Sequence, residues 1–91
     1  MVDVRLSEDA SRFEAHTEGL VAGHILLRPR GGVIELDHTT VETGFEGRGI
    51  AGQLVRAAAD HVRASGARLA AACSYAEAWL DKHPEYDDIR A

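Results

Sequence analysis

Three groups of residues in the 91-residue chain have types and spacings suited to chemistry. The first is Gly44-Phe45-Glu46-Gly47-Arg48-Gly49, set directly ahead of an apolar pattern of helical period. Small residues at 47 and 49 let the backbone N–H groups of residues 47 to 51, Ile50 and Ala51 included, converge on an anion. The helix start adds about half a positive charge, so a diphosphate is the natural guest. The stretch lacks the Gly-Lys-Ser/Thr ending of a nucleoside-triphosphate loop, and taken alone it also fits a plain tight turn. The second is Cys73, the one cysteine, followed by Ser74-Tyr75-Ala76-Glu77. A thiol just ahead of a helix start is acidified and can act as a nucleophile; a buried, inert thiol is the competing reading. The third is His38, a candidate base for a thiol or an amine. It alternates with Ile34 and Leu36, so a buried structural histidine competes there.

These residues need a scaffold, and the pattern of the chain supplies one. Val2 to Arg5, Arg12 to His16, Leu20 to Leu27 and Val33 to Val41 alternate as strands. Ser7–Ala10, Glu18-Gly19 and Pro29–Gly32 are expected as turns between them. From Gly49 the period becomes helical, with Ile50, Leu54, Val55, Ala58, His61 and Val62 on one side, and Gly66 stops the helix. Arg68–Ala72 reads as a fifth strand. Ser74-x-x-Glu77 matches a capping box, which makes Ser74 the expected N-cap of a second helix ending before Pro84. Tyr75 and Trp79, four apart, share one face of it. The order is β-β-β-β-α-β-α. A helical crossover makes strands four and five parallel in an otherwise antiparallel sheet, an α/β (α+β) arrangement. The glycine loop then leaves the C-terminal end of strand four, where ligands bind in such folds.

Composition narrows the partners. Ten Lys and Arg against 15 Asp and Glu give a net charge of −5, which argues against a protein that works by neutralising nucleic-acid phosphates. A single cysteine excludes an internal disulfide and leaves no Cys-x-x-Cys pair, and the histidine spacings offer no metal site. The longest apolar run, Leu69 to Cys73, is far short of a membrane span of ~18 residues, and no signal-peptide stretch follows Met1. A single domain over residues 1–91 in a reducing cytoplasm is the expectation.

Val41-Glu42-Thr43-Gly44-Phe45-Glu46-Gly47-Arg48-Gly49-Ile50-Ala51 resembles the acetyl-CoA loop of GNAT-superfamily N-acetyltransferases. That loop reads [Arg/Gln]-x-x-Gly-x-[Gly/Ala], placing Glu46 first, Gly49 at the glycine and Ala51 last. Glu35-Leu36-x-His38-Thr39 upstream, and Cys73-Ser74-Tyr75 with His83-Pro84-Glu85-Tyr86 downstream, are similar to the small single-domain GNAT-like family. The resemblance covers residues 33 to 89.

It implies a minimal GNAT-like fold and a site for acetyl-CoA or CoA. Amides of Gly47, Arg48, Gly49, Ile50 and Ala51 would hold the pyrophosphate, with Glu46 beside them and Arg48 as the nearest cation. Backbone from Thr39 through Thr40 to Val41 would pair with the pantetheine arm, with Ser74 and Tyr75 also on the cofactor side. Cys73 would face the thioester, with His38 as its base. The chain departs from the superfamily in two places. Glu46 stands where Arg or Gln is usual, bringing a carboxylate near phosphate unless it points outward. Only a turn around Ser7–Ala10 stands where full-size enzymes have helices walling the acceptor pocket. The acceptor, an unidentified amine or a protein chain, therefore lies in an open groove, or a partner subunit in a homodimer completes the site. N-acetyl transfer is the leading function. The alternatives are a non-catalytic CoA or acyl-CoA-binding module and an interaction domain whose loop binds nothing.

Overall fold

A computed structural model describes residues 1–91. Five strands, β1 (Asp3–Leu6), β2 (Arg12–Thr17), β3 (Leu20–Arg30), β4 (Val33–Val41) and β5 (Arg68–Ala71), lie side by side in chain order. β1 to β4 pair antiparallel, and β4 and β5 pair in parallel across helix α1 (Ile50–Ser65). Helix α2 (Ser74–Asp81) and a 3₁₀ helix, Pro84–Ile89, complete the chain. The mixed, mainly antiparallel sheet and the order β-β-β-β-α-β-α are those expected.

The β-hairpins follow from local chemistry. Glu18 and Gly19 both have positive φ between the paired residues Thr17 and Leu20, and Gly31 and Gly32 do so between Arg30 and Val33. Two-residue turns of this hand match the twist of the strands they join. The second turn is thus shorter than expected, because Pro29 and Arg30 continue β3 opposite Ile34 and Val33. β2 pairs with β3 only as far as Leu26, so at Pro29 the strand has a neighbour on one side, and the missing N–H interrupts no ladder there.

Both helices cover the same face. α1 buries Ile50, Leu54, Val55, Ala58, Ala59 and Val62, a stripe at helical spacing, and α2 buries Ala76 and Leu80. With Phe13, Ile25, Leu27, Leu36 and Leu69 from the sheet they belong to one cluster of 16 buried residues. α1 approaches α2 closely because residue 52 is glycine: a Cβ there would stand 3.2 Å from Trp79 Nε1. The uncovered face is polar and self-paired, through Arg12–Glu14, Arg28–Asp37 and Arg30–Glu35.

The chain end is tied down by Tyr86, whose buried hydroxyl donates to Asp60 at 2.6 Å and accepts from Arg56 at 3.2 Å. Burial first, and then the Asp60 carboxylate, raise its pKa above that of a free tyrosine. Arg56 lies 5.1 Å over the Trp79 ring, and His83 stacks on the same indole at 3.6 Å.

Candidate functional site

The parallel ladder between β4 and β5 stops at Leu36↔Ala71, with one more bond from the Ala72 N–H to the Leu36 carbonyl. β4 runs on to Val41 without a partner on that side. Cys73 ends the other arm of this wedge, and its sulfur lies 3.6 Å from Thr39 Oγ1.

A bulge decides which β4 side chains meet the thiol. Leu27 pairs with Leu36 and Ile25 with Thr39, so the two residues Asp37 and His38 oppose the single residue Leu26. The extra residue shifts the alternation by one. His38, expected on the Leu36 face, is exposed, as is Thr40, and Thr39 takes the inward place beside Cys73.

The start of α2 also differs from expectation. The Glu77 N–H donates to the Cys73 carbonyl, the first bond of the helix, and Cys73 has extended φ and ψ of −98° and 129°. Cys73, not Ser74, is therefore the N-cap residue, and exposed Ser74 is the first residue inside the helix. No full side-chain capping bond forms. Partial burial pushes the thiol pKa up, but the Ala76 N–H, the Thr39 hydroxyl and the Tyr75 N–H outweigh it and bring the pKa below the ordinary value. Alkylation of Cys73 followed against pH is expected to reach half its maximal rate at a lower pH than an unstructured cysteine peptide. Thr39→Val should move that midpoint upward. A midpoint at or above the peptide's would refute the assignment of these donors.

The glycine loop behaves as a cradle. Gly44, Gly47 and Gly49 adopt φ of 95°, 78° and 74°, and nothing stands within 4 Å of a Cβ built on any of them. The requirement for glycine here is one of conformation, not of space. Among the turn and loop hydrogen bonds, none uses a backbone N–H between residues 46 and 52. The Gly49 N-cap has no side chain to cap α1, and the first turn of that helix holds no acidic residue. A run of donors and an uncapped helix start thus face the same space. Gly47, Gly49 and Gly52 also have the Gly-x-Gly-x-x-Gly spacing, the third serving the close contact of α1 with Trp79.

That space is a cleft of about 260 Å³ lined by Val41, Phe45, Glu46, Gly47, Gly49, Ile50, Ala51 and Tyr75. Seven of these were expected from the sequence. Phe45 was not, although an aromatic side chain inside a glycine-rich loop is itself a signal. The Glu46 carboxylate accepts the Gly44 N–H at 2.9 Å, which ties it within the loop. Arg48 turns to the β2–β3 hairpin, bonding Glu18 at 2.7 Å and lying 5.0 Å over the Phe45 ring. A larger depression of about 500 Å³ lies around Ser7, Asp9, Ser11 and Glu14. Its polar groups serve the turn itself: the Ser11 and Ser7 hydroxyls bond Asp9 and hold its pKa at about 2. The smaller cleft, with free donors, is the candidate site.

The family model for GCN5-related N-acetyl-transferases matches residues 12–89. Among solved structures, a GCN5-like protein from Staphylococcus aureus is 26% identical with a TM-score of 0.75, and the match covers 98% of this chain and 87% of that one. A GNAT-family acetyltransferase from Brucella melitensis, solved in complex with acetyl-CoA, is 28% identical with a TM-score of 0.61 over 75% of this chain and 50% of its own. One from Elizabethkingia anophelis, also with acetyl-CoA bound, is 18% identical with a TM-score of 0.65, over 89% of this chain and 61% of its own, and shows likeness of fold. The chain thus spans one half to about three fifths of the two structures that hold acetyl-CoA. No curated protein sequence matches it. No helix is long and apolar enough to cross a membrane. With the family match spanning the glycine loop, the wedge and the C-terminal turn, the chain belongs to the GCN5-related N-acetyltransferases.

Proposed function

We propose that residues 1–91 form a single acetyl-CoA-binding domain that transfers the acetyl group to an amine, with Cys73 at the point of transfer. The observation that carries this reading is the run of uncommitted backbone N–H groups from 46 to 52 at the mouth of the 260 Å³ cleft. Donors of this kind suit a diphosphate, and no acidic residue of the first turn of α1 opposes one. The acetyl-CoA found in the Brucella relative supports the same choice of ligand.

In this reading the amides of Gly47 to Ala51 hold the pyrophosphate. The backbone of Thr39, Thr40 and Val41, paired with β3 on one side and without a strand on the β5 side, pairs with the pantetheine arm, and Tyr75 borders it. Glu46 stays bonded to Gly44, which keeps its charge from the phosphates. Acetyl-CoA, when bound, supplies an acetyl group activated as a thioester. Cys73 contributes a sulfur whose anionic form is stabilised by the start of α2 and by Thr39. His38, exposed beyond the bulge, is assigned no step.

Intact-mass measurement after incubation with acetyl-CoA tests the role of Cys73. One acetyl adduct that disappears in Cys73→Ala is expected. An adduct that persists in Cys73→Ala contradicts the assignment, as does amine acetylation that is unchanged in that variant. Ligand-induced stabilisation without any transfer would identify a non-catalytic binding module, a reading favoured by the short Ser7–Ser11 turn, none of whose residues lines the candidate cleft.

A further inference from the structure

We propose that β1 is a dimerisation edge, pairing antiparallel with β1 of a second copy about a two-fold axis through Val4. β1 has a strand neighbour on one side only. The Ser7 N–H donates to the Arg12 carbonyl at 2.8 Å, so Ser7 directs its backbone toward β2. Strand alternation directs Arg5 and Asp3 the same way. The N–H and C=O groups of Val2, Val4 and Leu6 therefore point outward along the free edge.

Only registers that set these three residues opposite one another form a ladder. A symmetric pairing centred on Asp3 brings Asp3 against its own copy, and one centred on Arg5 brings Arg5 against its own copy; like charges directly opposite repel. Centring on Val4 instead places Asp3 opposite Arg5 twice, at the non-hydrogen-bonded positions where side chains come closest. The same register pairs Val2 with Leu6. Val2 and Val4 pack on the core cluster, and Leu6 is 37% exposed at its border, so the apolar stripe continues from one copy into the other. Hydrogen-bond phase, charge and apolar contact thus select one register. Within one chain Arg5 already bonds Asp3, so the charges set the register more than they add affinity. β1 precedes the 12–89 segment that carries the family match, and the inference does not rest on cofactor binding.

A four-residue edge buries little area, so the dimer is weak and accumulates at about 0.1 mM and above. Sedimentation equilibrium at low salt tests it. The wild-type chain is expected to pass from monomer to dimer as concentration rises. Asp3→Arg or Arg5→Asp alone should raise the dissociation constant about tenfold or more. The double exchange, Asp3→Arg with Arg5→Asp, should restore it to within about threefold. An equimolar mixture of the two single variants should associate more tightly than either does alone. Val4→Pro removes an outward N–H that β2 does not use and should give a monomer with an unchanged circular dichroism spectrum. A monomer at all concentrations up to about 1 mM would overturn the proposal, and so would a dimer indifferent to the charge exchanges.

Discussion

Gly49→Glu is expected to abolish the thermal stabilisation by acetyl-CoA that the proposed site predicts for the wild-type protein. Gly49 is the N-cap of α1 at φ 74°, a left-handed conformation that costs other residues about 1–2 kcal/mol. No neighbour lies within 4 Å of its Cβ position, so the new side chain clashes with nothing and the fold survives. Its carboxylate, however, arrives among the amides of residues 46 to 52 and satisfies the donors that a diphosphate needs. It also repels the phosphates directly, and together these effects raise the dissociation constant by about 100-fold or more. Gly49→Ala separates the contributions, since it keeps the backbone strain and adds no charge. Calorimetric titration of both variants should show a modest loss for Ala and no measurable binding for Glu. Equal affinity of Gly49→Glu and wild type would remove the loop from the binding site.

The largest loss of stability is expected from Gly23→Ala. Gly23 is buried in β3, paired with Val41, where a Cβ would stand 2.6 Å from the Thr40 carbonyl oxygen and 3.4 Å from Ile50 and Leu54 of α1. The oxygen belongs to the backbone and cannot swing aside as a side chain can. One methyl group therefore forces β3 from β4, or the sheet from α1, at about 3 kcal/mol. For a chain of this length the melting temperature falls by about 12–24 °C. The displacement also moves Thr39–Val41, the free arm of the wedge, so ligand-induced stabilisation should shrink with it. Gly19→Ala is the comparison: Gly19 has φ 75° with open space around it, and only the backbone strain of about 1 kcal/mol should appear. Thermal unfolding of the two variants distinguishes steric crowding from conformational strain. A Gly23→Ala protein melting within a few degrees of wild type would contradict the packing described.

The glycine loop was legible because its chemistry is local. Three glycines with positive φ and the start of a helical period determine where donors gather, whatever the rest of the chain does. That β4 and β5 run parallel was legible from the crossover rule; that their ladder stops at Leu36 and Ala71 was not. The β4 bulge was not, because neither Asp37 nor His38 has the composition of a bulge; only the pairing of Ile25 with Thr39 reveals the inserted residue. That one residue moved His38 out to solvent and brought Thr39 to the thiol. The capping pattern misplaced its first residue by one for a related reason. Ser74-x-x-Glu77 is present, but β5 and the Cys73 carbonyl fix the helix start one residue earlier than the pattern would. The Arg48–Glu18 pair joins residues 30 apart and depends on where the hairpin tip lands, which no short pattern encodes. Gly23 did carry a readable sign: an isolated glycine inside a strand marks a close backbone approach.

Amide chemical shifts followed during titration with CoA provide the most direct test of the central claim, that backbone donors of the glycine loop hold the cofactor. The predicted result is saturable shifts concentrated on the N–H groups of residues 46 to 52, with a second set at Thr39 to Val41. Shifts that spare the loop, or the absence of any saturable change at millimolar CoA, would contradict it.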